Sequence, residues 1–179
     1  MTTTFDFQDG NGAVPAHQHP NGGGWVADTA TVDATAFVGP KARVYGYAQV
    51  CEYAQISDDA QVYDNAWVSD KAEVSGNACV FDYAMVYDSA EVYGNAMVYD
   101  SAEVSGKAEV SGNACVFDYA EVSGNVRVSG NTRVYGSVQT AKNTKPQPDY
   151  RVEKIIHIDI KEDADVVMIN GVRYVKETK

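Results

Sequence analysis

The chain has 179 residues, with 14 Lys and Arg against 25 Asp and Glu, a formal charge of −11. That balance excludes a nonspecific nucleic-acid binder, which has to neutralise phosphates with basic side chains. No apolar run reaches membrane-spanning length and no signal-peptide pattern precedes the first regular segment, so no membrane contact and a cytoplasmic location are expected.

Residues 1–24 begin with Phe5-Asp6-Phe7 and end in a Gly/Pro-rich stretch through Gly22-Gly23-Gly24. They read as a cap or loop closing whatever follows. His17 and His19 form an H-x-H pair, and in an extended segment both rings point one way, as a metal site would require. No Cys and no third His adjoins them, so a polar loop over an exposed end is the reading preferred here, and no metal is expected.

From Val26 to Val134 every sixth residue is a branched aliphatic, nineteen in succession, eighteen Val and Ile56. Two residues before each, from Ala30 to Ala120, stands an Ala, sixteen in succession. A strict six-residue period fits neither a helix of 3.6 residues per turn nor a hairpin array, and fixed-period self-similarity marks a solenoid. The unit is typified by Ala72-Glu73-Val74-Ser75-Gly76-Asn77. Ala and Val, two apart, face one side of an extended segment, and Gly/Asp-Asn turns the chain, because these residues accept positive φ or support turn hydrogen bonds. With Ala and Val alone facing inward, the interior has to be narrow. Nineteen buried aliphatics at about 1.5–3 kcal/mol each give tens of kcal/mol of gross driving force, most of it offset by backbone ordering.

The outward positions give the number of hexads per coil independently. Reading the residue after each Val at every eighteenth position gives Tyr45, Tyr63, Phe81, Tyr99, Phe117 and Tyr135, all aromatic. The other two phases give mostly Ser. Corners follow the same step: Gly76-Asn77, Gly94-Asn95, Gly112-Asn113 and Gly130-Asn131 form one ladder, and Asp64, Asp82, Asp100 and Asp118 another. Three hexads therefore make one coil, equivalent residues stack about 4.8 Å apart, and about six coils give a rod on the order of 30 Å long.

This pattern resembles the bacterial hexapeptide-repeat proteins, and within them the Val-x-Gly-Asn-Ala repeat proteins of enterobacteria and prophages, often labelled transferases on fold alone. The resemblance covers residues 25–138 and implies an all-β, left-handed parallel β-helix with triangular coils. It also implies a homo-oligomer, most often a trimer, and a phage or prophage origin.

Sorting outward residues by phase gives three unlike faces. The first joins the aromatic ladder to Gln61, Cys79, Met97, Cys115 and Arg133, and its middle, Cys79, Phe81, Met97, Tyr99, Cys115 and Phe117, carries no charge. Such a patch suits an oligomer interface. Aromatic ladders also stabilise parallel strands by stacking, and both readings stand together. The second face carries Gln49, Trp67, Met85, Glu103 and Glu121, and the third, read as the solvated one, Gln55, Glu73, Glu91, Glu109 and Arg127. Between Val26 and Ser137 sixteen acids face six bases. The Asp64, Asp82, Asp100 and Asp118 ladder would favour a cation or a basic partner if the carboxylates repel, or simply keep the surface soluble. Cys79 and Cys115 share a face but lie two coils apart, too far to bridge, and free thiols fit a reducing compartment.

Residues 139–149, polar with two Pro, read as a linker. In residues 150–179, Val152, Ile155, Ile156, Ile158 and Ile160 suggest a strand, and Val166–Ile169 faces Val172–Val175 across Asn170-Gly171, a strong hairpin signal. A unit of this size does not stand alone; it packs on the last coil or pairs between subunits.

The acyltransferases of the resembling family use a His as general base, and the γ-class carbonic anhydrases of that fold use three His to hold zinc. No His lies between His19 and His157, and no hexad is interrupted by a loop. Val74–Ala84 recurs letter for letter at 110–120, two coils on, as a rod-lengthening unit would. A non-catalytic binding or structural protein without cofactor is therefore expected, taking a host protein or a small ligand such as a nucleotide at grooves between subunits. The alternative is an acyltransferase with His17, His19 or His157 brought to a subunit boundary as base or metal ligand.

Overall fold

A computed structural model of the chain describes residues 3–136 in full and, beyond them, the backbone of Gln139–Thr140, Ile158–Ile160, Val166–Ile169 and Val172–Val175. Among these residues there is no helix. The hexads form a β-solenoid of about six turns in which the strands are two or three residues long and pair in parallel with the strand eighteen residues on. Cys79 lies against Met97 and Met97 against Cys115, while Val80, Val98 and Val116 run in the same register behind them.

Inward Ala and Val explain this register. From Ala36 to Val122 the side chains at these positions are all fully buried, in one continuous cluster. No bulky side chain interrupts it, so every coil has the same narrow cross-section and stacks on the last without offset. Backbone N–H groups donate up the rod with the same step: Phe81 N–H to the Val98 carbonyl at 3.0 Å, Tyr99 N–H to Val116 at 3.0 Å.

The corners show what the Gly/Asp position does. Gly76, Gly94, Gly112 and Gly130 have φ of +68° to +75°, and the acids in equivalent places adopt the same backbone, with Asp64, Asp82, Asp100 and Asp118 at 57° to 60°. An L residue there costs roughly 1–2 kcal/mol. The sequence suggests local turn hydrogen bonds as compensation; the structure places them one coil away instead. Asp100 N–H donates to Asp82 Oδ2 at 3.3 Å, Asp118 N–H to Asp100 Oδ2 at 3.4 Å, and Gly76 N–H to Asp58 Oδ2 at 3.1 Å. A bond to a charged acceptor is worth about 1.5–3 kcal/mol and offsets the conformational cost.

Both ends of the solenoid are met by antiparallel strands. Ala13–Gln18 pairs antiparallel with Trp25–Ala27, the first strand of the aromatic face, and Thr4–Asp6 pairs antiparallel with Ala13–Gln18. At the far end Ile158–Ile160 pairs antiparallel with Val126–Val128 on the third face. A strand running the wrong way ends a parallel stack, which is the edge protection a solenoid needs. Parallel pairing itself continues past residue 138: Gln139–Thr140 pairs with Glu121–Val122, so Thr140 takes a Val position. Val166–Ile169 and Val172–Val175 pair antiparallel in the register expected for a turn at 170–171. The turn itself, most of the 139–149 linker, and Val152 to His157 lie outside the described residues.

Removing residues 75–92 takes out one coil and preserves every ladder, so the shortened chain should melt cooperatively in circular dichroism. Removing 75–86 joins the aromatic phase to a different face and should cost the cooperative transition. Equal melting curves for the two deletions would refute an eighteen-residue register.

Candidate functional site

On the first face the aromatic ladder closes into one stack. Phe7, from the N-terminal cap, lies on Tyr45 at 4.9 Å, and Tyr45, Tyr63, Phe81, Tyr99, Phe117 and Tyr135 follow at 4.8 to 5.0 Å with interplanar angles of 1° to 13°. The rings cover one another's faces, so Phe81, Tyr99 and Phe117 are half-buried within the single chain. The stacking reading of the ladder is thus realised in the monomer. What remains outward is a strip of ring edges with Cys79, Cys115 and Met97, the last 38 % exposed. It is bounded by Gln61, which accepts the Tyr45 hydroxyl at 3.1 Å, and by Arg133, whose guanidinium lies 5.1 Å from the centre of the Phe117 ring.

Burial pushes the Tyr45 phenol up to about 12, with smaller contributions from nearby acidic groups. Tyr63 is raised for the same reason. Burial likewise raises the Cys79 and Cys115 thiols, which keeps them protonated and poor nucleophiles at neutral pH.

The corner acids form the second candidate. Asp82, Asp100 and Asp118 line an open cavity of about 230 Å³ with Tyr83, Ser101 and Tyr119. Asp64 is raised from the ordinary carboxylate range, first by partial burial and then by the charge on Asp82. The four acids stack as the sequence implies, but at least Asp82 and Asp100 already have one carboxylate oxygen on a backbone N–H of the next coil. The companion residues at this corner were not legible from the acids alone. Tyr47, Tyr83 and Tyr119 are 67 % to 69 % exposed, and the signal for them is the residue after the corner Gly or Asp read at every second coil.

The third face is not solvated throughout, contrary to the sequence reading. Glu73 and Glu91 are exposed, but Glu109 is buried, with Arg127 Nη2 2.5 Å from its carboxylate and the Tyr93 hydroxyl donating at 3.4 Å. The register puts Arg127 one coil beyond Glu109, so a cation follows the acid directly.

His17 and His19 are engaged differently. His17 is exposed and its Nδ1 lies 2.9 Å from Asp28 Oδ1, while His19 is buried with Nδ1 donating to the Asn21 carbonyl at 3.2 Å. The pair does not act as one ligand set. His157 lies outside the described residues.

The model of the YdcK beta solenoid repeat matches residues 54–70, 90–106 and 120–136, all within the coil. The chain is thus similar to a repeat β-solenoid class. No curated protein and no solved structure matches it.

Because Tyr45 keeps its proton when folded to about pH 12 and unfolded tyrosine loses it near 10, the unfolded chain binds fewer protons in that window. Stability should therefore fall between about pH 10 and 12 while being indifferent to this group below 10. In urea melts at a series of alkaline pH values, Tyr45→Phe should flatten the fall; an unchanged profile would count against burial of that phenol.

Proposed function

We propose that this chain is a non-catalytic, homo-oligomeric solenoid, most simply a trimer of left-handed coils, that works by binding. The observation that carries the reading is the uncharged strip of Cys79, Phe81, Met97, Tyr99, Cys115 and Phe117, with Met97 outward, bounded by polar residues at both ends. Contiguous apolar surface bounded by polar groups is what an association face presents. The absence of any imidazole between His19 and His157 supports binding over acyl transfer, since that chemistry takes up a proton near neutral pH. The resemblance to prophage repeat proteins favours a host protein as the partner in the cytoplasm; a small ligand such as a nucleotide, held at a groove between subunits, is the other occupant of the same reading.

The ring stack decides which variant tests it. Charging Phe81, Tyr99 or Phe117 removes a stacking contact worth roughly 0.5–1.5 kcal/mol besides burial, so it confounds assembly with stability. Met97 stands outside the stack. Native mass spectrometry should show the wild type as a trimer and Met97→Arg as a monomer, with melting temperatures within a few degrees. A wild type that is monomeric at micromolar concentration overturns the interface.

One observation favours a second reading. Asp28 holds Nδ1 of exposed His17 at 2.9 Å, the orientation that presents Nε2 as a base. If that dyad sits at a subunit boundary, an acyltransferase results. Acetyl-coenzyme A turnover with amine and hydroxyl acceptors should be undetectable; turnover abolished by His17→Ala would overturn the binding reading.

A further inference from the structure

The three corners of the coil differ in whether their side chains satisfy one another. At the corner between the third and first faces the amides form a closed ladder, Asn77 Nδ2 donating to Asn95 Oδ1, Asn95 to Asn113 and Asn113 to Asn131, each at 3.0 Å. At the corner between the first and second faces the matching positions are Tyr47, Asn65, Tyr83, Ser101 and Tyr119. Among the described residues, no side-chain hydrogen bond and no ring contact engages Tyr47, Tyr83 or Tyr119. A large aromatic recurs here every second coil, and a small polar residue separates each pair.

We infer that this row is a docking rail for a basic, proline-rich segment in the polyproline II conformation. Three observations carry it. The first is spacing. Rings one coil apart on the adjoining face stand 4.9 Å apart, so tyrosines two coils apart recur at about 9.8 Å. A polyproline II helix repeats every three residues, at about 9.3 Å. An extended strand repeats on one face at about 6.6 or 13 Å and misses that step. An α-helix returns after seven residues at about 10.5 Å, but its diameter of about 10–12 Å exceeds the gap between two such rings.

The second observation is the slot. Between Tyr83 and Tyr119, over Ser101, lies the open cavity of about 230 Å³, room for a proline ring rather than for a whole helix. Aromatic slots of this kind take polyproline II segments because the ligand arrives already ordered. The third is charge. Asp82, Asp100 and Asp118 line the slot, so Lys or Arg at the remaining position of each turn meets a carboxylate beside an aromatic ring. This rests on the binding reading above and specifies its partner's chemistry, with the rail at the edge of the aromatic face.

The test uses the full chain and a fluorescent (Pro-Pro-Lys)5 peptide, followed by anisotropy, with (Gly-Ser-Lys)5 as a flexible peptide of equal charge. The proline peptide should bind at least tenfold more tightly than the flexible one. Tyr83→Ala and Tyr119→Ala should each weaken it about tenfold, while Tyr53→Ala, exposed at another corner, should leave it unchanged. Asp100→Asn keeps a residue that accepts positive φ and should weaken binding several-fold and flatten its salt dependence. Equal affinity for both peptides, or no binding at millimolar peptide, overturns the rail. A native mass altered by the two tyrosine variants also overturns it, by assigning the row to contact between copies. The failures are separable: a monomer that still binds the proline peptide refutes the trimer and keeps the rail, and a trimer that does not bind refutes the rail alone.

Discussion

Everything in this molecule depends on a hydrogen-bond step that never varies. Each strand donates to the strand eighteen residues on, and the Ala/Val interior is too narrow to admit a coil of another length. An outward residue therefore meets the residue eighteen positions away, whatever its chemistry. Where the chemistry is self-compatible the result stabilises: seven rings close into one stack and four Asn into one amide ladder. Such pairs on a sheet contribute roughly 0.2–1 kcal/mol each, more for aromatics.

The same register creates a problem at the ends, where parallel strands leave unpaired backbone groups. A reversed strand covers one face at each end, Ala13–Gln18 on the first face and Ile158–Ile160 on the third. The N-terminal cap also extends the aromatic stack by Phe7, which joins cap and coil through ring contact as well as hydrogen bonds. Arg43 ties the cap down further, donating to the Phe7 carbonyl at 3.2 Å and lying 5.8 Å from the centre of the Phe5 ring. Capping and side-chain stacking are one device on that face.

How much of this was legible in the sequence follows from what repeats. Core, coil length and the aromatic stack are periodic, so a single sequence displays them many times over, and Tyr45 to Tyr135 read out the coil length. Features that occur once were not legible. Burial of Glu109 goes with a cation arriving one coil later, Arg127, which has no period. Corner acids were legible as a ladder, but not the use of their oxygens, because the acceptor for the Asp100 N–H lies eighteen residues back and no local turn rule points there. The exposed tyrosines escaped because their period is two coils, twice the step that organises the rest.

The Asp ladder shows how close the compensation runs. Carboxylates one coil apart, at about 4.9 Å, repel by about 0.8 kcal/mol in water and about 3.4 kcal/mol at an effective dielectric of 20. The charge-assisted bond that Asp82 and Asp100 each accept from an N–H of the next coil is worth about 1.5–3 kcal/mol. Bond outweighs repulsion while the corner faces water, and repulsion overtakes it as the corner is covered. Asp64, raised first by burial and then by Asp82, already shows the direction. A neutral partner settling over this corner would remove solvent from an acid ladder and gain little. A cationic partner would relieve the repulsion as it displaces water, so the register that stacks the acids also selects the charge of whatever docks there.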